Sequence, residues 1–148
     1  MVRGKKLYGC LGLLLLISLL AGCAQPTEEA CQAELDQANE TFGTNLVLAD
    51  IPPLEEPYTL RDYRQWVRHV AQCQQIIDET NAKYGTALTR AEAIPNLEWD
   101  LEDYRSWVES LGADYARDAR ACLEFGMSPE QVKEWYGFLP EDYALPED

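Results

Sequence analysis

The chain has 148 residues, and 26 acidic residues outnumber 12 Lys and Arg, for a formal charge of −14. A surface of that sign repels phosphates, which excludes nucleic acid and anionic lipid as partners and favours solubility, cations or basic proteins. Four Trp, eight Tyr and three Phe supply enough aromatic surface for a core, so the acidity does not imply wholesale disorder, and the length suits one modest domain.

Taken in chain order, the first nine residues carry Arg3, Lys5 and Lys6 and no acid. An apolar run follows from Leu11 to Leu20, broken only by Gly12 and Ser18, and then Ala21-Gly22-Cys23. A basic start, a short apolar middle and small residues at a cut site make a secretory signal. The run is well short of the roughly 20 residues that span a bilayer. Leu20-Ala21-Gly22-Cys23 resembles the lipobox of prokaryotic lipoproteins, and Cys10 is no rival because no apolar run precedes it. The resemblance covers the first 23 residues. It implies cleavage before Cys23, acylation of that sulfur by chains such as palmitate, and anchoring outside the cytoplasm. The membrane is the cell membrane, or the outer membrane where the host has one; Ala24 rather than Asp after the Cys favours the latter. Removing residues 1–22 takes away three cations and no acid, leaving −17. The expected organisation is a signal peptide at 1–22, a short lipid tether at 23–27, a helical domain at 28–139 and an acidic tail at 140–148.

Beyond the tether, apolar residues recur at helical spacing, which predicts helices that bury one face. The first, short helix aligns Cys31, Leu35, Ala38 and Phe42. Thr59 is the predicted N-cap of the second, with a stripe of Tyr63, Trp66, Val70, Cys73, Ile77, Thr80 and Tyr84. Asp100 opens the third, with Leu101, Tyr104, Val108, Leu111, Tyr115, Ala119 and Cys122. Gly112 inside it costs about 1 kcal/mol relative to Ala. Gly43, Gly85 and Gly126 each follow an aromatic residue and suit left-handed caps. Ser128-Pro129-Glu130-Gln131 starts a short fourth helix at about 128–138. The two central helices each span roughly 38 Å at 1.5 Å per residue.

An internal repeat is visible. Ile51-Pro52-Pro53-Leu54-Glu55 reappears as Ile94-Pro95-Asn96-Leu97-Glu98, and Leu60-Arg61-Asp62-Tyr63-Arg64-Gln65-Trp66-Val67 as Leu101-Glu102-Asp103-Tyr104-Arg105-Ser106-Trp107-Val108. Phe42-Gly43-Thr44 matches Tyr84-Gly85-Thr86, and Cys31-Gln32 matches Cys73-Gln74, in the same order. The expected fold is therefore all-α: a small helical bundle built from an internal duplication, with three main helices and a short fourth one. Loops at 44–58 and 86–99 are long for bundle connections, and Ile51, Leu54, Ile94 and Leu97 are expected to fold back onto the bundle.

Candidate chemistry is sparse. Cys31, Cys73 and Cys122 leave at least one thiol unpaired, and Cys31–Cys73 is the candidate disulfide if the first two helices run antiparallel. There is no C-x-x-C pair, and His69 is the only His, against the several ligands of a zinc site or a hydrolytic triad. Glu98, Asp100, Glu102 and Asp103 crowd one helix start, where the backbone dipole favours acids; the calcium-loop spacing is missing. No cofactor, metal or catalytic residue is expected. The Tyr-Arg-x-Trp blocks are the most distinctive feature. Arg64, Trp66, Arg105 and Trp107, with Tyr58 and Trp99 beside them, form a candidate ligand or partner surface; the plainer account is core packing with the arginines paired to acids on neighbouring helices. The leading functional expectation is a non-enzymatic, lipid-anchored extracytoplasmic interaction or accessory protein, with the membrane and a protein at its surface as partners. The alternative is a small-ligand or cation-binding lipoprotein that uses the two Ile-Pro-x-Leu-Glu loops.

Overall fold

A computed structural model describes residues 25–96 and 98–140; the leader with Cys23, Leu97 and the acidic tail from 141 to 148 lie outside the described residues. The described chain is all-helical: α1 (Glu28–Phe42), a single 3-10 turn (Leu48–Asp50), α2 (Leu60–Tyr84), α3 (Leu101–Glu124) and α4 (Pro129–Tyr136).

Local chemistry sets the ends. The Thr59 side chain accepts from the amide of Asp62 while the Asp62 carboxylate accepts from that of Thr59, which satisfies two donors a helix start leaves open. Asp100 accepts from the amides of Glu102 and Asp103, and Ser128 and Gln131 cap α4 reciprocally around Pro129. At the other end, α1 and α2 stop at Gly43 and Gly85, whose φ of 66° and 64° suits a residue without Cβ.

The three main helices, α1, α2 and α3, run in the same direction. Glu34 of α1 pairs with Arg64 of α2, and further along both helices the Phe42 carbonyl accepts from Gln75. Glu79 of α2 pairs with Arg105 of α3, and one turn later Lys83 pairs with Glu109. Residue numbers rise together on both partners, so each connection must carry the chain back along the helix it has just left. That requirement explains the two long loops. Each is packed: Leu46 and Ile51 from the first, and Leu88 and Ala93 from the second, are buried.

The same hydrogen bonds secure both return loops. Asn39 Nδ2 donates to the Leu46 carbonyl, while its Oδ1 accepts from the Leu46 amide and the Thr44 hydroxyl. Asn81 does the same for Leu88 and Thr86, at distances of 2.8 to 2.9 Å. Farther on, Asp50 accepts from the amide of Val47, and Glu92 from that of Thr89. This register aligns buried Ile51 with buried Ala93. Ile94, expected to fold inward, is instead 62% exposed, because the matching Ile-Pro-x-Leu-Glu blocks are shifted by one residue relative to the loop's hydrogen bonds.

α4 follows α3 after a tight turn and does not continue the series of parallel helices. Val132 and the following Phe138 bury against Ala119 and Leu123. Between α2 and α3 the fit is tight: a Cβ on Gly112 would lie 2.4 Å from Thr80 Cγ2 and 3.2 Å from Tyr84 Cδ2. The glycine that weakens α3 as an isolated helix is what lets α2 approach.

Two outcomes follow for urea unfolding. Gly112→Ala should destabilise by about 1–3 kcal/mol through overpacking, despite the roughly 1 kcal/mol gained in helix propensity; adding Thr80→Ser, which removes the opposing methyl, should recover part of the loss. Asn81→Ala should cost about 1–3 kcal/mol by leaving part-buried loop groups unpaired; a change under about 0.5 kcal/mol, typical of an ordinary surface site, would contradict its role.

Candidate functional site

The six singled-out side chains fall into two neighbourhoods. Tyr58 stands just before the α2 N-cap, its ring stacked on Tyr63 with centroids 6.4 Å apart. With Pro26, Cys31, Ile51, Pro52 and Leu54, it lines a cavity of about 320 Å³ between the first return loop and the starts of α1 and α2. Trp66 is only 5% exposed, and its indole N–H donates to the Pro52 carbonyl at 2.7 Å. That takes Trp66 out of the candidate surface: its ring is core and its polar edge braces the loop, the usual disposition of a buried indole.

Trp99 belongs to the second neighbourhood. It is 39% exposed and meets half-buried Trp107 edge-on, with centroids 5.4 Å apart and planes at 88°. Trp107 in turn packs against buried Tyr104. Trp99 is not among the described residues lining the Tyr58 cavity, whose loop residues, Leu48 to Leu54, all come from the first return loop. Arg64 and Arg105 hold carboxylates on the preceding helix, Glu34 at 2.6 Å and Glu79. The Arg64 hydrogen bonds hold the Glu34 carboxyl below its ordinary range. Such half-exposed pairs add little stability but fix which helix faces meet.

His69 acts on the fold. Its ring stacks on Trp66, and Nε2 lies 2.8 Å from the Asn96 carbonyl, so Nε2 carries the proton and donates to the second return loop. Of the acids at the α3 start, Asp100 is committed to the cap, with its carboxylate 2.9 and 2.8 Å from two amides. Among the described residues no group of three or more His, Cys, Asp or Glu side chains is placed to hold a metal ion.

The candidate bridge between Cys31 and Cys73 does not form; both are free, buried thiols, and Cys122 is free as well. The reason is helix direction. Parallel packing sets Cys31 beside Tyr63 at the cavity and Cys73 near the far end of α1, where Gln75 meets Phe42. On α2, ten residues of helix separate Tyr63 from Cys73, about 15 Å, against the roughly 4.4–6.8 Å between Cα atoms that a disulfide needs. Cys73 packs against Tyr104, whose hydroxyl donates to the Ala93 carbonyl at 2.6 Å. Burial pushes the Cys73 thiol up to about 12 and that of Cys31 up from its ordinary value.

Two features escaped the sequence pattern. A groove of about 410 Å³ runs along the outer face of α3 beside the end of α2, floored by Ala113, Ala116 and Ala121 and edged by Lys83, Arg117 and Arg120. Phe125, at the α3 C-cap, is 92% exposed, and Trp135 on α4 is 68% exposed. The alanine and arginine spacing from 113 to 121 was the available signal, but alanines count equally toward a core stripe. Comparison of the chain with protein-family models, curated proteins and solved structures found no match.

The thiols give a direct check. After denaturation without reductant, all three of Cys31, Cys73 and Cys122 should take an alkylating reagent, and in the native state Cys73 should react far more slowly than after unfolding; a Cys31–Cys73 linked peptide would contradict the parallel packing. Because the folded Cys73 pKa lies above its unfolded value, the folded chain holds more protons at alkaline pH. Its contribution to stability is present below about pH 9 and is lost as pH rises from there toward about 12.

Proposed function

We propose that this chain is a lipid-anchored, extracytoplasmic interaction or accessory protein that performs no catalysis. The observation that carries the reading is the basic and apolar leader ending in Leu20-Ala21-Gly22-Cys23, followed at once by a folded domain. α1 begins at Glu28 and is capped by Thr27. Only Ala24, Gln25 and Pro26 lie between that cap and Cys23, a reach of at most about 14 Å, so an acyl group on Cys23 would hold the domain against the membrane face. Among the described residues no helix is long and apolar enough to cross a membrane, and acyl chains would supply the attachment, at about 0.8 kcal/mol per buried CH₂. A net charge of −17 after cleavage would turn the domain toward basic or apolar protein surfaces and away from anionic headgroups. The loop corners built on Asn39 and Asn81 support descent of the two helix–loop units from one ancestral unit.

A second reading, small-ligand binding, is favoured by the cavity that Tyr58, Ile51 and Leu54 line. Such a ligand would be largely apolar and would sit near the point of attachment.

Metabolic labelling with palmitate and cell fractionation test the anchor. The wild-type chain should carry label and pellet with membranes, and Cys23→Ser should lose both. An unlabelled wild-type chain in the soluble fraction, or one retaining residues 1–22, would overturn the assignment.

A further inference from the structure

We infer that the cavity between the first return loop and the starts of α1 and α2 holds an acyl chain carried by Cys23 of the same molecule. This rests on the lipid-anchor reading and deepens it, because a domain that grips its own anchor is docked on the membrane rather than merely tied to it.

Each helix–loop unit repeats the other in register. The loop hydrogen bonds match Asn39 with Asn81, Leu46 with Leu88 and Asp50 with Glu92. At the same interval Thr27 corresponds to His69, Leu54 to Asn96 and Cys23 to Gln65. α2 runs on ahead of His69 as far as Leu60, whereas α1 begins at Glu28. In the second unit His69 reaches the Asn96 carbonyl and stacks on Trp66, so the first turns of α2 lie along the loop. In the first unit Thr27 instead caps α1 through the Ala30 amide, and Leu54 lines the cavity with Pro26. The residues behind register the difference. Cys73 and Tyr104 have no exposure, while their counterparts Cys31 and Tyr63 are each 7% exposed and line the cavity. Cys23 falls level with Gln65, within the helical turns that α2 has and α1 lacks.

Lining and reach specify the occupant. Leu48, Ile51, Pro52, Leu54 and the rings of Tyr58 and Tyr63 present apolar surface, and the exposed Glu28 and Pro53 mark the mouth. A volume of about 320 Å³ lies within the usual range for small-molecule pockets. The Trp66 indole, bonded to the Pro52 carbonyl, keeps one wall in place. Pro26 is itself part of the lining, and only Ala24 and Gln25 stand between it and Cys23, a reach of at most about 11 Å. Because α1 and α2 run in the same direction, their starts, the cavity and the attachment all lie at one end of the domain. A chain fixed beside its cavity enters at high effective concentration, so modest apolar burial suffices to hold it. Other acyl chains on Cys23 stay in the bilayer and keep the domain attached.

The test supplies cells expressing the full chain with palmitate that bears a terminal diazirine. Membranes are irradiated, and crosslinked peptides are mapped by mass spectrometry, with isotope-labelled copies mixed in to separate one molecule from its neighbours. The acyl chain should join the Cys23 peptide to residues between Leu48 and Tyr63 of the same molecule, at least about tenfold more often than to α3 or α4, as tethering beside a cavity implies. Leu54→Trp, which fills the cavity, and Leu54→Asp, which sets a charge in its wall, should each cut that product severalfold while Cys23 still carries label. Helical circular dichroism checks that each variant folds, and the wild-type product decides the matter where one does not. Crosslinks confined to lipid or to 141–148, spread evenly over the domain, or unaltered in both folded variants would overturn the inference and leave the anchor standing. So would a cavity crosslink from a phospholipid, a free fatty acid or the Cys23 of another molecule. A wild-type chain without acyl label would instead overturn the anchor, and this inference with it, so the two failures are distinguishable.

Discussion

The structure depends on the grip of one asparagine near the end of each of the first two helices. Parallel helices cannot be joined by a short turn, because the chain leaves one end and must re-enter at the other. A return segment some fifteen residues long carries backbone amides and carbonyls that need partners wherever it is buried. Asn39 and Asn81 are suited to that task because one primary amide offers both donors and an acceptor. Each is held rigidly in a helix, and each fixes the first buried leucine of its loop by both backbone groups. Once Leu46 and Leu88 are set, the rest of each loop lies along its helix pair, braced by Trp66 on Pro52 and by His69 on Asn96.

This arrangement spreads the core along the molecule. Three buried clusters follow one another: the first shared by α1, α2 and the first loop, the second by α2, the second loop and α3, the third by α3 and α4. Each helix therefore serves mainly its neighbours, as in repeat proteins, where stability is approximately a sum of units and interfaces.

The distinctive Tyr-Arg-x-Trp blocks serve this architecture. Both tyrosines are buried, both arginines reach back to a carboxylate on the preceding helix, and Trp66 braces a loop. Trp107 supports Trp99, which keeps part of its ring in solvent. A motif that looks like a site in one dimension is here largely the means by which consecutive helices recognise each other's direction and register.

The sequence by itself determined the helices and their ends, because those follow from local rules: apolar spacing near 3.6, Thr59, Asp100 and Ser128 at starts, and glycines after an aromatic at stops. The basic and apolar order of residues 1–23 is likewise legible from composition and order alone. The direction in which helices pack was decided only by tertiary structure, since an amphipathic stripe reads the same for a parallel or an antiparallel neighbour. That single undetermined sign separated Cys31 from Cys73 and turned two long loops into structural return segments. The exposure of Ile94 and Phe125 was likewise invisible, because burial depends on whether another element arrives to cover a side chain. Gly112 makes the same point: a helix-weakening residue by propensity, it is required by the approach of Thr80 from a helix 32 positions away in sequence.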